Sequence, residues 1–385
     1  MAGIKLPDMD QIQCLTGFPV GQFPFRFLGV PLLASRLNVC HYDPMIARIT
    51  ALIHGWNRKT LSYAGRLDLV RAVIQGIANF WLGNFPLPLS VIHRINASCR
   101  NFLWGKTDEG KKRPLVSWSI VCSPKEEGGL GLFCLKTWNN ALLTRTLWDF
   151  HIKKDSLWVK WIQHYYFKDQ SFWECNASSF DSAFMKRVFY IRDCIAAKET
   201  NTSDAVTVFQ SWVRGTKLVA SNAYSYFRQS KPLVPWKHIV WNPAIPPKMS
   251  FILWLAVNSK LLTLDKAPYL NKGQTCYLCK SESESNGHLF FACPLVLQVW
   301  SVIREWSLFP KRNVSLKGTI DKLKRCGAVS GVFGKQRCLS LSATVYCIWL
   351  TRNSVLFYHG SFFVNDVISK IQFLVYRHSH LTHLY

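Results

Sequence analysis

The segment from Cys276 to Cys293 limits the possible folds of this chain more than any other stretch. Cys276, Cys279, His288 and Cys293 follow the spacing C-x2-C-x8-H-x4-C. Zinc is bound tetrahedrally by thiolates and imidazoles, and a C-x2-C pair can turn back so that both sulfurs face one ion. Since the protein would fill all four positions, the spacing indicates a structural zinc site. The alternative is three core cysteines and a hydrogen-bonded histidine.

The charge of the chain points to a polyanionic partner. Its 385 residues include 47 Lys and Arg against 22 Asp and Glu, a net charge of +25. Such an imbalance attracts nucleic acid first and an anionic membrane surface second. A basic part of a longer polypeptide is the other interpretation, and any single basic residue can simply belong to a solvated face. The predicted contacts to nucleic acid are Arg48, Arg58, Lys59, Arg66, Lys111, Lys112 and Arg113.

Cysteine usage and the N-terminal sequence favour the nucleus or cytoplasm. Thirteen cysteines, most of them scattered singly, are typical of a reducing compartment. The start, MAGIKLPDMD, has no apolar core of a secretory signal. The longest uncharged run, Ala72–Ile92, contains polar residues and two prolines. It therefore predicts a buried helix and a loop, and no membrane partner is expected.

Apolar periodicity predicts a mainly α fold. FPFRFLGVPL (Phe23–Leu32) reads as a strand and a tight turn, because Gly29 supplies backbone freedom and Pro31 disfavours helix. Three helices should follow, with Ser62 capping the second. Their apolar stripes are Met45, Ile46, Ile49, Leu52, Ile53 and Trp56; Leu67, Val70, Ile74, Ile77 and Trp81; and Ile92, Ile95, Cys99 and Phe102.

The resulting organisation has six segments. Composition and periodicity predict an N-terminal hairpin at 1–40, a three-helix bundle at 41–110 and a Trp-rich helical connection at 111–200. A linker or irregular segment follows at 201–235. The metal-binding region is expected at 236–310, and a basic segment with C-terminal helices at 311–385.

Motifs for catalysis are missing from the sequence. It contains no Asp-Asp pair, no convincing carboxylate set for two metal ions, no phosphate-binding G-x-x-x-x-G-K-[ST] loop and no G-x-S-x-G elbow. The glycine-rich GGLGL stretch reads as a turn. We therefore expect neither an enzyme nor a small-molecule substrate.

An ordered set of motifs nevertheless resembles one family. FRFLGVPL, GWNRKTLSYAGRLDLVRAVI, FLWG, SPKEEGGLGL, NNALLTRTLW, PPKMSFILWLAVNSKLLTLD, CYLC…HLFFACPLVLQVW and VYCIWLTRN occur in that order. Over about residues 23–357 this order resembles the C-terminal part of plant non-LTR (LINE-type) retrotransposon reverse transcriptases, ending in their zinc-binding domain. Each motif alone is weak, and the resemblance is weakest between about residues 178 and 234.

The resemblance implies roles for several segments. FLGVPL matches the primer grip of the palm, and the three helices look like the thumb that holds template and primer. Lys59 and Arg66 match basic positions of the family's motif and would be candidates for contact with the nucleic-acid backbone. The Cys₃His set matches the family's zinc ligands.

One departure limits what can be carried over. Only 22 residues precede Phe23, so the catalytic palm with its Y-A-D-D-type turn is not expected. The prediction is a non-catalytic part of a reverse transcriptase that binds zinc and RNA or an RNA/DNA duplex. Alternatives are a protein-interaction or structural module reused by the host, and a decayed reading frame.

Overall fold

The structure, a computed structural model of the chain, describes residues 6–17, 25–27, 30–33, 37–56, 60–107, 110–111, 114–168, 170–309, 315–325 and 331–381. Within these ranges the protein is mainly helical, which confirms the predicted class. The helices are α1 (Leu6–Thr16), α2 (Asp43–Gly55), α3 (Tyr63–Leu69), α4 (Gln75–Asn84), α5 (Leu89–Trp104), α6 (Trp118–Val121), α7 (Leu135–His151), α8 (Leu157–Ile162), α9 (Ala183–Ala196), α10 (Thr202–Ser211), α11 (Ala220–Phe227), α12 (Lys237–Val240), α13 (Pro247–Val257), α14 (Pro294–Trp306), α15 (Leu316–Arg325), α16 (Gly331–Tyr358) and α17 (Val364–Leu381).

Short antiparallel pairs account for the described strands. They are β1 (Phe25–Phe27) with β2 (Val30–Leu32), β3 (Lys106–Thr107) with β4 (Gly110–Lys111), and β5 (Val213–Arg214) with β6 (Lys217–Leu218). In the first pair, Phe25 lies opposite Leu32 and Phe27 opposite Val30. Gly29, which the sequence places at this turn, lies outside the described residues.

Helix boundaries follow local capping chemistry. The Ser62 hydroxyl accepts a hydrogen bond from the Gly65 N–H at 3.2 Å, which confirms the predicted cap of α3. Asn201 caps α10 in the same way, through the Asp204 N–H at 2.8 Å. The segment 201–235 differs from the predicted linker or irregular stretch, because it contains α10, β5, β6 and α11.

The long uncharged run of the sequence is interrupted in the structure. A π-helical turn, Val70–Ile74, joins α3 to α4, and Phe85–Pro88 form a loop before α5. Nowhere in the described ranges is a helix both long enough and apolar enough to span a lipid bilayer.

Contact density divides the chain into two compact units. Unit 1 comprises the described parts of Met1–Trp56, Val73–Cys99 and Leu135–Gln229. Unit 2 comprises those of Asn57–Ala72, Arg100–Cys134 and Ser230–Tyr385. The predicted segment boundaries at residues 40, 110, 200, 235 and 310 remain predictions.

The core of unit 1 is built around α7, which packs against α4, α9 and α11. Asn139 on α7 is fully buried, and its amide donates to the carbonyls of Leu82 (2.6 Å) and Phe85 (2.8 Å). Its side-chain oxygen accepts from the Leu87 N–H at 3.0 Å. One side chain thus satisfies backbone groups at the end of α4 and in the following loop, which would otherwise be buried without partners.

The core of unit 2 is built around α13, whose residues from Met249 to Val257 are all buried. This helix packs against α3 and α16, and α17 packs against α14 and α16. The Trp254 indole donates to the Gly128 carbonyl at 2.9 Å. At Gly129 a Cβ would lie 2.0 Å from the Ser123 carbonyl oxygen, so the GGLGL turn requires glycine there.

Candidate metal centre

The first two cysteines of the cluster lie on a tight turn between two bridged segments. Thr275 pairs with Ser283, and the Cys276 N–H donates to the Glu282 carbonyl at 2.7 Å. The Lys280 N–H donates back to the Cys276 carbonyl at 2.8 Å, and Lys280 adopts a left-handed conformation with φ of 56°. The turn returns the chain at once, so the two C-x2-C sulfurs lie on one side of it.

His288 and Cys293 come from a π-helical turn followed by a helix. The turn spans His288–Ala292, and the Cys293 N–H donates to the His288 carbonyl at 2.7 Å. This i→i+5 bond brings residue 293 one turn above residue 288. Pro294 then begins α14, where a proline is tolerated because the first helical N–H needs no partner.

The four predicted side chains converge in space. One donor atom from each of Cys276, Cys279, His288 and Cys293 lies within 4.8 Å of the other three. Cys279 Sγ is 3.3 Å from His288 Nε2. Neighbouring donors of a tetrahedral zinc site are about 3.5–3.8 Å apart, given zinc–ligand bonds of about 2.0–2.3 Å. The donor set therefore fits a zinc ion, and its separations bracket the distances that tetrahedral coordination requires.

The histidine ring is oriented by an acidic residue of the loop. His288 Nδ1 is 2.9 Å from Glu282 Oε2, which leaves Nε2 facing the cysteines. Metal-bound histidines commonly donate their second ring N–H to a carboxylate, which fixes the tautomer. Glu282 therefore completes the pattern expected around an imidazole ligand.

The thiols are arranged to share protons or to hold a cation. A hydrogen bond with Cys293 lowers the pKa of Cys276 to about 4, against the effect of burial and with help from backbone N–H groups. The same bond raises the pKa of Cys293. For Cys279, burial favours the thiol, but hydrogen bonds from Ser281 and the Glu282 backbone lower its pKa. A cation in place of the shared protons would interact with the same donors.

A buried ion pair connects the loop to α16. Glu284 and Arg352 are 0% and 1% exposed, and Arg352 Nε is 3.0 Å from Glu284 Oε2. Arg352 Nη2 also donates to Glu284 Oε1, which in addition accepts from the Leu264 N–H at 2.9 Å. With its hydrogen bonds satisfied, this pair fixes the position of the loop beside the cluster.

The structure describes the side chains of two predicted basic contacts, one in each unit. Arg48 is exposed on α2, whereas Arg66 is partly buried, lies over the Tyr63 ring at 5.2 Å and donates to the Leu103 carbonyl. The others lie outside the described residues or have side chains that do: Arg58, Lys59, Lys111, Lys112 and Arg113.

Three residues around the cluster are not among those predicted from the sequence. Glu282 has a local signal, because it is an acidic residue in the polar loop KSESES between the two halves of the ligand pattern. Glu284 and Arg352 are 68 positions apart, and no spacing rule connects them.

Comparison with known proteins places this geometry in a class. Residues 219–300 match the family described as zinc-binding in reverse transcriptase, and all four donors fall within them. A "Putative ribonuclease H protein" of Arabidopsis thaliana is 25% identical over 353 residues, which cover 70% of this chain and 57% of that protein. An "Uncharacterized mitochondrial protein" of the same plant is 39% identical over 77 residues, 19% of this chain and 54% of that protein. A second "Uncharacterized mitochondrial protein" of Arabidopsis thaliana is 24% identical over 113 residues, which cover 29% of this chain and 73% of that protein.

These matches confirm the resemblance to the C-terminal part of a plant retrotransposon reverse transcriptase. The chain spans just over half the length of the first of these relatives. The family match itself covers residues 219–300, which include the cluster of three cysteines and one histidine.

Proposed function

We propose that this chain is a non-catalytic, reverse transcriptase-related module that binds one structural zinc ion and contacts RNA or an RNA/DNA duplex through basic surfaces. The observation that carries this proposal is the convergence of Cys276, Cys279, His288 and Cys293 inside the region that matches a zinc-binding family. Four protein donors leave no position for a reacting water, which is typical of structural zinc.

The role of the ion would be to hold the loop 271–293 against the start of α14. Between α13 and α14 the described chain has short 3₁₀ and π turns and one isolated bridge in place of longer helices or sheets. Such a segment gains little stability from backbone ladders. Zinc binding supplies folding free energy directly, and it would offset the cost of ordering this loop.

Nucleic-acid contact is supported by the net charge of +25 and by the family resemblance. Neutralising phosphates releases counterions, so affinity should fall about tenfold for every two phosphate contacts between 50 and 200 mM salt. The test is fluorescence anisotropy of a labelled RNA hairpin and an RNA/DNA duplex across that range. Affinity that is independent of salt contradicts the proposal and favours a protein-interaction module.

The absence of polymerase activity is tested separately. The sequence has no Y-A-D-D-type turn and no convincing carboxylate set for two-metal chemistry. We expect no extension of an annealed DNA primer on an RNA template with Mg²⁺ and all four deoxynucleotides. Extension above that of a heat-inactivated sample would contradict this part of the proposal.

A further inference from the structure

An exposed row of aromatic rings lies on α8 and the π-helical turn after it, inside unit 1. Trp158, Trp161 and Tyr165 are 44%, 48% and 63% exposed. Val159 and Ile162, on the neighbouring face of the same segment, are buried and anchor it. Part of each of the three rings therefore stays exposed to solvent, as does Leu157 at the start of α8.

Two of these rings, Trp158 and Trp161, line a groove within the same unit. The groove has a volume of about 1020 Å³, and its lining includes Trp158, Trp161, Tyr166 and Phe184. Trp161 lies 5.0 Å from Tyr165 and 5.8 Å from Tyr166 between ring centroids. The π-helical turn Gln163–Phe167 sets these rings side by side, and such insertions are frequent at functional sites.

Lysines lie on both sides of the aromatic residues in the sequence. Residues 149–169 contain four lysines and three acidic residues, Asp149, Asp155 and Asp169. Two of the lysines form exposed ion pairs, Lys160 with Asp155 and Lys154 with Asp149, which bind weakly in water. The groove lining itself contains one lysine, Lys186, and one carboxylate, from Asp181. The groove lining is therefore neutral, and the flanking segment supplies a small excess of lysines.

We propose that this groove binds single-stranded nucleic acid, with bases stacked on Trp161 and Trp158 and phosphates beside the flanking lysines. Stacking needs bases whose faces are exposed, which a single strand offers and a duplex does not. The lysines are complementary to a phosphate backbone. The inference rests on the proposed function, since it names one surface and one form of nucleic acid for it.

The experiment compares ring variants on two substrates. Labelled oligouridine and a blunt-ended RNA duplex are titrated with the full chain by fluorescence anisotropy at low salt. Trp161→Ala should weaken oligouridine binding by about 5- to 150-fold, the range for loss of one stacked base, and leave duplex binding unchanged. Trp161→Phe keeps a ring and should retain most of the affinity. Trp306→Ala removes a tryptophan that is 37% exposed in unit 2 and serves as the matched control.

Trp161→Leu keeps apolar bulk without a π face, so it separates stacking from folding if the alanine variant is unstable. Ultraviolet crosslinking of 4-thiouridine-labelled oligouridine to the unmodified chain should label peptides within residues 157–186. Equal oligouridine affinity in Trp161→Leu and the parent, with crosslinks elsewhere, overturns this inference and leaves the proposed function standing. A parent chain that binds neither substrate at low salt contradicts the proposed function, and this inference with it.

Discussion

The helical core around α7 and the loop between α13 and α14 are stabilised in different ways. The α7 core buries apolar side chains from several helices, and Asn139 is its fully buried amide. The loop contains only short turns among its regular elements, but it buries the polar side chains of Glu284 and His288. The first region spreads its stability over many contacts of small individual value. The second also buries apolar side chains such as Leu264 and Phe290, but it adds a few buried polar groups that tolerate little change.

The largest effect is expected from removing one sulfur of the cluster. Cys279→Ser should abolish stoichiometric zinc binding and cost more than about 4 kcal/mol in the free energy of unfolding of unit 2, because the ion's binding energy is also folding energy. Metal content and hydrogen exchange of peptides within 271–306 measure both effects. Cys40→Ser, which changes an exposed cysteine in unit 1, is the control. Unchanged zinc content in Cys279→Ser would mean that Cys279 is not a zinc ligand and that zinc does not explain the difference between the two regions.

The next effect concerns the buried ion pair. Arg352→Met leaves the Glu284 carboxylate buried without its cation, which should cost roughly 3–5 kcal/mol in the free energy of unfolding. The double variant Glu284→Gln, Arg352→Met should recover part of that loss. Arg94→Met breaks the half-exposed pair with Asp43 in unit 1 and should cost at most about 1 kcal/mol. The free energy of unfolding of both variants is measured with denaturant. Similar losses of that free energy at the buried pair and at the half-exposed pair would contradict the proposed difference between the two regions.

A third change probes the polar exception in the α7 core. Asn139→Leu leaves the Leu87 N–H and two carbonyls without their partner, at an expected cost of about 2–4 kcal/mol. The neighbour Asn140 is the matched control, because its side-chain oxygen is buried with no hydrogen-bond partner among the described residues. Asn140→Leu should cost less than about 1 kcal/mol. Zinc content should stay the same in both variants, and a drop would show that the two regions are not independent.

The smallest effect belongs to the residue that orients the histidine. Glu282→Ala should weaken zinc binding by about 10- to 100-fold without abolishing it, since the four donors remain. Competition with a chromophoric chelator measures the affinity. Glu282→Gln, which can still accept a hydrogen bond from the His288 ring, should lie between the alanine variant and the parent. Zinc affinity equal to the parent in Glu282→Ala would mean that the loop turn alone positions His288.

What could be predicted from the sequence was local. The cysteine and histidine spacing placed the cluster, and apolar periodicity placed several helices, because both signals act within about twenty residues. A local signal for α10 is also present, because Asn201 precedes Ala205 and Phe209, which are four residues apart and buried. The Glu284–Arg352 pair and the contacts of Asn139 join distant positions, so no local pattern reveals them.

The most direct test of the account is the zinc content of the purified chain by elemental analysis, combined with hydrogen exchange before and after a strong chelator. The account predicts about one zinc per chain, and faster exchange on its removal within 271–306 but not within α7. A chain that contains no zinc yet protects residues 271–306 as well as α7 would contradict it. The cysteines would then be ordinary core residues.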